Sequence, residues 1–229
     1  MENEKYKIIL KIIGVFTALY LFLVGIKGLS MGIKLLGGDF ANAVMTTTSN
    51  PLTALFIGIL ATTLFQSSST TTSLIVGMVS GGALTLSGAI PMIMGANIGT
   101  TITAELASLV GNVHAKRSAR IHSMFNIVGV TWMLILMPYA LDIVEYISMN
   151  YFGSISPYTA VDGWGDSMSP VPIALSIFHT GFNFLNVLML IWFVPLLVKI
   201  AERTVKSQGD MDEEFHLEHI GTGLMQTAE

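Results

Sequence analysis

The chain has 229 residues, of which 52% are hydrophobic and only 11% charged, and a mean hydropathy of +0.67. So apolar a composition argues against a soluble enzyme, and a net charge of -4 with a pI near 5.7 argues against a basic nucleic-acid-binding face. The absence of cysteine removes disulfide scaffolds, thiolate metal sites and thiol catalysis.

What remains is an all-α integral membrane protein, and its charges organise it. Most of the basic residues fall in three clusters: Lys5, Lys7 and Lys11; Lys116, Arg117 and Arg120; Lys199, Arg203 and Lys206. Basic residues at span ends mark the cytoplasmic side, so an even number of crossings is expected between successive clusters, with the N-terminus cytoplasmic. In chain order, residues 8–27 read as a first outward span. Gly25, Ile26 and Lys27 provide no small-residue cleavage site, so this span reads as retained rather than as a signal peptide. Lys27 and Lys34 then fall near the outer surface unless the helix is long and their heads snorkel.

Residues 40–104 carry no formal charge, a stretch far longer than the ~20 residues one transmembrane helix needs. It reads as a re-entrant hairpin at about 51–82 followed by a broken transmembrane helix at about 86–110. An outward span follows at 121–141. Residues 142–166, with four acidic residues and no Lys or Arg, read as an external loop. Residues 170–198 return inward, tilted or kinked by Pro170, Pro172 and Pro195. The transmembrane unit is thus 1–198. Residues 199–229, with acidic residues concentrated at 210–214, read as a cytoplasmic tail or linker.

Two polar stretches interrupt the apolar background. Gln66, Ser67, Ser68, Ser69, Thr70, Thr71, Thr72 and Ser73 follow one another inside a hydrophobic segment, where each unpaired polar group costs a few kcal/mol in lipid, on the order of 2 or more. Such a run is expected to face a cavity, water or a ligand. The alternative is that its hydroxyls bond back to i-4 carbonyls and pack helices. The second stretch, Gly95, Ala96, Asn97, Ile98, Gly99, Thr100, Thr101, Ile102 and Thr103, reads either as a break exposing backbone groups or as a close-packing Gly95-x-x-x-Gly99 face. Together the two stretches suggest a discontinuous-helix binding site near mid-membrane.

Hydroxyls and amides suit a small hard cation such as Na+, while half-helix N-termini and hydroxyl donors suit an oxyanion. No Lys or Arg lies in this region. A helix end supplies only about half an elementary charge, so a bound dianion there needs co-bound cations. Ion-coupled anion uptake is the expected chemistry, with no cofactor and no metal other than sodium.

These residues resemble a known family. Leu64 to Thr70 (LFQSSST), Met94 to Thr101 (MGANIGTT), and Asn50-Pro51 ahead of the first hairpin arm are similar to the first repeat of type II sodium-phosphate cotransporters, over about residues 21–198. The resemblance implies sodium-driven uptake of inorganic phosphate across the plasma membrane, or the inner membrane in a bacterium. It also implies that Ser67, Ser68, Ser69 and Thr70 at a hairpin tip bind substrate, and that Gln66, Asn97, Thr100 and Thr101 bind sodium, the last three in an unwound helix. Two H-x-x-F-N motifs, His122 to Asn126 and His179 to Asn183, also resemble the family. Each puts His and Asn on one helix face, either lining a cavity or cross-linking helices.

One departure stands out. The family has two inverted repeats, each with a glutamine-serine string, and this chain has one. The expected partners are therefore membrane lipids, Na+, inorganic phosphate and a second repeat, supplied by a C-terminal half or another chain. Two other classes are weighed against this. One is a non-transporting structural or regulatory subunit. The other is an intramembrane hydrolase, disfavoured because Ser67, Ser68 and Ser69 lack a G-x-S-x-G elbow and an evident His-carboxylate partner.

Overall fold

A computed structural model describes residues 2–152 and 170–207. Among the described residues every regular element is helical: α1 (Glu2–Leu35), α2 (Gly37–Thr48), α3 (Pro51–Phe65), α4 (Ser68–Ser80), α5 (Leu86–Ser108), α6 (Val113–Phe152), α7 (Pro170–Leu190), a 3-10 turn (Ile191–Phe193) and α8 (Val194–Thr204).

Local chemistry sets the helix starts. The Asn50 side chain accepts hydrogen bonds from the Leu52 and Thr53 N–H groups, with Pro51 opening α3. Ser67 caps α4 by accepting from Thr70 N–H at 3.2 Å, and Thr85 caps α5 by accepting from Gly88 N–H at 3.2 Å. The turn after α4 uses Gly82 at φ +75, a left-handed conformation that suits a residue without Cβ.

α5 is the centre of the bundle. It packs against α3, α4, α6 and α7, and Ile90, Ile93 and Met94 on it are essentially inaccessible, together with Ile75 on α4 and Leu175 and Phe182 on α7. Neighbours screen it on most sides, which explains how a helix containing Asn97, Thr100, Thr101 and Thr103 is accommodated. The closest approach is to α3. A Cβ at Gly58 would fall on the Met92 carbonyl, one at Gly95 on the Leu55 carbonyl, and one at Gly99 within 2.7 Å of the Ile59 carbonyl and the Thr62 side chain. Between helices in lipid, close packing of this kind stands in for the hydrophobic effect.

These contacts also fix direction. Leu55 meets Gly95 and Ile59 meets Gly99, so α3 and α5 run the same way. Leu29 meets Gly77 and Ile33 meets Gly81, so α1 and α4 run together as well. It follows that α1 begins at the end of the bundle where α5 finishes and α6 begins. Arg117 Nε donates to the Val205 carbonyl at 3.2 Å, which brings the finish of α8 to that same end. All three basic clusters therefore belong to one end of the bundle.

Several sequence expectations change. The helix expected to break over 86–110 is continuous from Leu86 to Ser108, because Gly95 and Gly99 serve as notches for α3 rather than as breaks. α1 extends well past residue 27 to Leu35, so Lys27 and Lys34 sit on a long helix. α2 was not foreseen, and its axis bends 107° into α3. The span read at 121–141 is part of a 40-residue helix, and the expected loop at 142–166 is helical as far as Phe152, its remainder lying outside the described residues. The inward segment 170–198 is interrupted at Ile191–Phe193, just before Pro195. Beyond residue 207 the tail lies outside the described residues.

Among the described residues, three helical stretches are long and apolar enough to cross a membrane: Tyr6–Leu35, Val113–Tyr151 and Val171–Thr204, or four if the bent α2–α3 pair counts as one. The arms of the α3–α4 hairpin have 15 and 13 residues. At ~1.5 Å per residue each is shorter than the ~30 Å hydrocarbon core.

Candidate functional site

The tip of the α3–α4 hairpin is built on one backbone event. Gln66 ends α3 in the left-handed conformation, φ 52 and ψ 28, the sole non-glycine residue with positive φ among those described. Ser67 is extended, and α4 starts at once, so the chain reverses within two residues. The Ser67 hydroxyl accepts from the Thr70 N–H and, at 3.0 Å, from the Thr70 hydroxyl. This leaves the N–H groups of Ser68 and Ser69, in the first turn of α4, without helical carbonyl partners. The side chains of Gln66, Ser68, Ser69 and Thr72 make no hydrogen bond among the described residues, and Gln66 and Ser69 are exposed. The tip thus gathers open donors and neutral oxygens with no fixed charge.

Below the tip the polar run becomes structural. Thr62 donates to the buried Thr71 hydroxyl at 2.9 Å, joining the two arms, and Thr71 donates to the Ser67 carbonyl at 3.2 Å. Ser73 bonds back to the Ser69 carbonyl at 2.8 Å.

On α5 the hydroxyls mostly return to their own helix. Thr100 donates to the Ala96 carbonyl at 3.0 Å, Thr101 to Ile98 at 2.7 Å and Thr103 to Thr100 at 2.7 Å. Asn97 instead reaches across to α7, its amide donating to Asn183 Oδ1 at 3.3 Å. The two candidate stretches meet through Thr62, which packs on Gly99 while holding Thr71. Their outward groups diverge. Ser69 and Thr70 line a groove of about 380 Å³ with Phe22, Gly25 and Leu29 of α1, whereas Asn97 faces α7. Thr101 is buried and Thr100 half-buried.

In both H-x-x-F-N motifs the asparagine amide donates to the carbonyl of its own histidine, Asn126 to His122 at 3.2 Å and Asn183 to His179 at 2.8 Å. Through Asn97, the second motif cross-links α7 to α5.

Two constellations escaped the sequence reading. Glu105 Oε1 accepts from Arg120 Nε at 3.0 Å and from the Ser123 hydroxyl at 2.9 Å, clasping α5 to α6. The available signal was that Glu105 ends the uncharged stretch and faces a nearby basic cluster. The second is Asn186, fully buried on α7, which sits in the notch at Gly129 and accepts from Trp132 Nε1 at 3.2 Å while its Nδ2 has no partner among the described residues. A second amide three residues past Asn183, in an otherwise apolar stretch, was the signal there. Among the described residues, no group of three or more His, Asp or Glu could hold a metal ion.

Comparison with known proteins bears on this geometry. The family described as Na+/Pi-cotransporter matches residues 21–156. Sodium-dependent phosphate transport protein 2B of Pongo abelii is 40% identical over 158 residues, covering 63% of this chain and 22% of its own. The 2A protein of Mus musculus is 42% identical over 142 residues, covering 57% and 21%. A Bacillus subtilis protein, YqeW, of uncharacterised function, is 32% identical over 143 residues, covering 62% and 39%. The chain spans about a fifth of the length of the mammalian relatives. No solved structure matches it.

Proposed function

The chain belongs to the Na+/Pi-cotransporter family, and on that premise we propose that it forms one half of a unit for sodium-coupled uptake of inorganic phosphate. The observation that carries the reading is the hairpin tip, where the polar side chains of Gln66, Ser68 and Ser69 make no hydrogen bond among the described residues and lie beside the first-turn N–H groups of α4. In this reading Ser67, Ser68, Ser69 and Thr70 contact phosphate, while Gln66, Asn97, Thr100 and Thr101 contribute oxygens to sodium. A helix end offers only about half a charge, so a phosphate dianion enters this uncharged site with sodium beside it. Electrostatic neutrality in a low-dielectric cavity is what couples the two solutes.

The hairpin is taken as re-entrant, since neither arm is long enough to span. The N-terminus is taken as cytoplasmic, since the three basic clusters share one end of the bundle. A single glutamine-serine string supports a requirement for a second, inverted repeat, and the bonds made by Thr100 and Thr101 to their own helix support a site that is incomplete in one repeat.

The test is uptake of labelled phosphate into proteoliposomes, with the chain reconstituted alone and with a second repeat supplied in trans. The expected result is uptake with the second repeat under an inward sodium gradient and none when potassium replaces sodium. Uptake indifferent to the cation would overturn the coupling.

A second reading, a non-transporting structural or regulatory subunit, is favoured by the threonine hydroxyls of α5 that bond back to their helix. It predicts no uptake in either arm, and unaltered membrane association when Gln66 is replaced.

A further inference from the structure

Two of the three basic clusters meet where α6 begins and α8 ends. The hydrogen bond from Arg117 Nε to the Val205 carbonyl draws the last turn of α8, with Arg203 and Lys206 beside it, against the first turns of α6, where Lys116 lies. Arg120 is paired with Glu105. By contrast, Lys116, Lys199, Arg203 and Lys206 have no ion pair among the described residues. Glu202, the sole acidic residue of α8, is exposed and makes no ion pair among the described residues.

An apolar stripe leads into this cluster. Phe193, Leu196 and Ile200 are exposed and spaced three and four residues apart, with Arg203 exposed three residues further on the same side. Leu197 and Ala201, on the adjoining side, are buried and face the bundle. Trp192, 83% exposed, extends the apolar surface at the end of the stripe away from Arg203. The helical stretch Val171–Thr204 has 34 residues, about 51 Å at ~1.5 Å per residue against a hydrocarbon core of ~30 Å. Its last turns therefore emerge at headgroup depth.

Apolar surface that ends in unpaired cations at that depth matches an amphiphile with an anionic head. We propose that the joint of α6 and α8 binds an anionic phospholipid, with an acyl chain along Phe193, Leu196 and Ile200 and the headgroup phosphate held by Lys116, Arg203 and Lys206. Inorganic phosphate shares the headgroup chemistry but has no hydrocarbon to occupy the stripe. The site lies at a different place from the hairpin tip and does not depend on whether the chain transports phosphate.

The test uses the full chain purified in detergent and offered phosphatidylglycerol and phosphatidylcholine with identical acyl chains, with retained lipid counted by native mass spectrometry. Phosphatidylglycerol is expected to be retained several-fold over phosphatidylcholine. Lys116→Gln, Arg203→Gln and Lys206→Gln are each expected to reduce that preference, by about fivefold for each cation removed. Leu196→Gln is expected to weaken retention of both lipids, and Lys27→Gln, on α1, to change neither. Circular dichroism on each variant confirms that the helices persist. Equal retention of the two lipids, or indifference to the three cation substitutions, overturns the proposal. Displacement of phosphatidylglycerol by millimolar inorganic phosphate also overturns it, by showing a site for the free anion.

Discussion

The hairpin tip and the middle of α5 are written in nearly the same letters, a side-chain amide followed by hydroxyls, yet the backbone gives them opposite availability. At the tip, Gln66 turns the chain left-handed, and the helix that follows leaves amide, hydroxyls and N–H groups open. In α5 the helix continues through Asn97, Thr100 and Thr101, and the hydroxyls find carbonyls three or four residues back. Polar composition alone therefore does not make a binding surface. A polar group becomes available where the backbone stops satisfying it.

The largest effect that would break this comparison lies in the notch that keeps α5 straight. Gly95→Val places side-chain atoms against the Leu55 carbonyl and is expected to cost about 3 kcal/mol, seen as lost thermal stability in detergent. If α5 tolerates it, the helix has room to unwind and the contrast disappears. Next comes the bridge between the arms. Thr71→Val strands the Thr62 hydroxyl and is expected to cost ~2 kcal/mol, with Thr62→Val costing about 1 and the double variant less than the sum. Additivity in a denaturant-unfolding cycle would mean that the two threonines do not interact.

A smaller effect has the opposite sign. Gln66→Gly relieves the left-handed strain and is expected to stabilise the fold by about 1 kcal/mol, while lowering the apparent sodium affinity of phosphate uptake in an assembly with both repeats. If stability and transport rise together, Gln66 is a turn residue and nothing more. The smallest is Thr100→Val, which removes a hydroxyl already bonded within its own helix and shifts stability by roughly 0.5 kcal/mol or less. If it nonetheless abolishes sodium dependence, Thr100 leaves its carbonyl for the ion during transport, and the difference between the two stretches is one of state.

The punctuation of the fold was legible where side chains act on their own neighbours. Asn50 with Pro51 announces the start of α3 and the start expected near residue 86 is the one Thr85 caps, whereas Ser67, read only as a site residue, also caps α4; the proline-bearing inward segment breaks just before Pro195. Gly95 and Gly99 were read as a break, with a packing face as the alternative, because both need small residues at that spacing, and only the position of α3 decides for the packing face. α2 went unseen because Gly37 and Gly38 look like a link. The extension of α6 through Asp142 and Glu145 was missed because acidic residues suggest a loop. The open groups at the tip were anticipated, whereas the turn of Asn97 toward Asn183 depends on the placement of a helix 86 residues away.

Thr62 occupies a small but consequential post. One of its faces rests on Gly99 of α5 and its hydroxyl grips Thr71 of α4, so three helices share a single rivet. Lifting the hairpin tip away from the bundle pulls that rivet, and α5 loses its seat in the same motion. Hydrogen exchange at the start of α4 and at the middle of α5 should then rise and fall together, as one opening event rather than two.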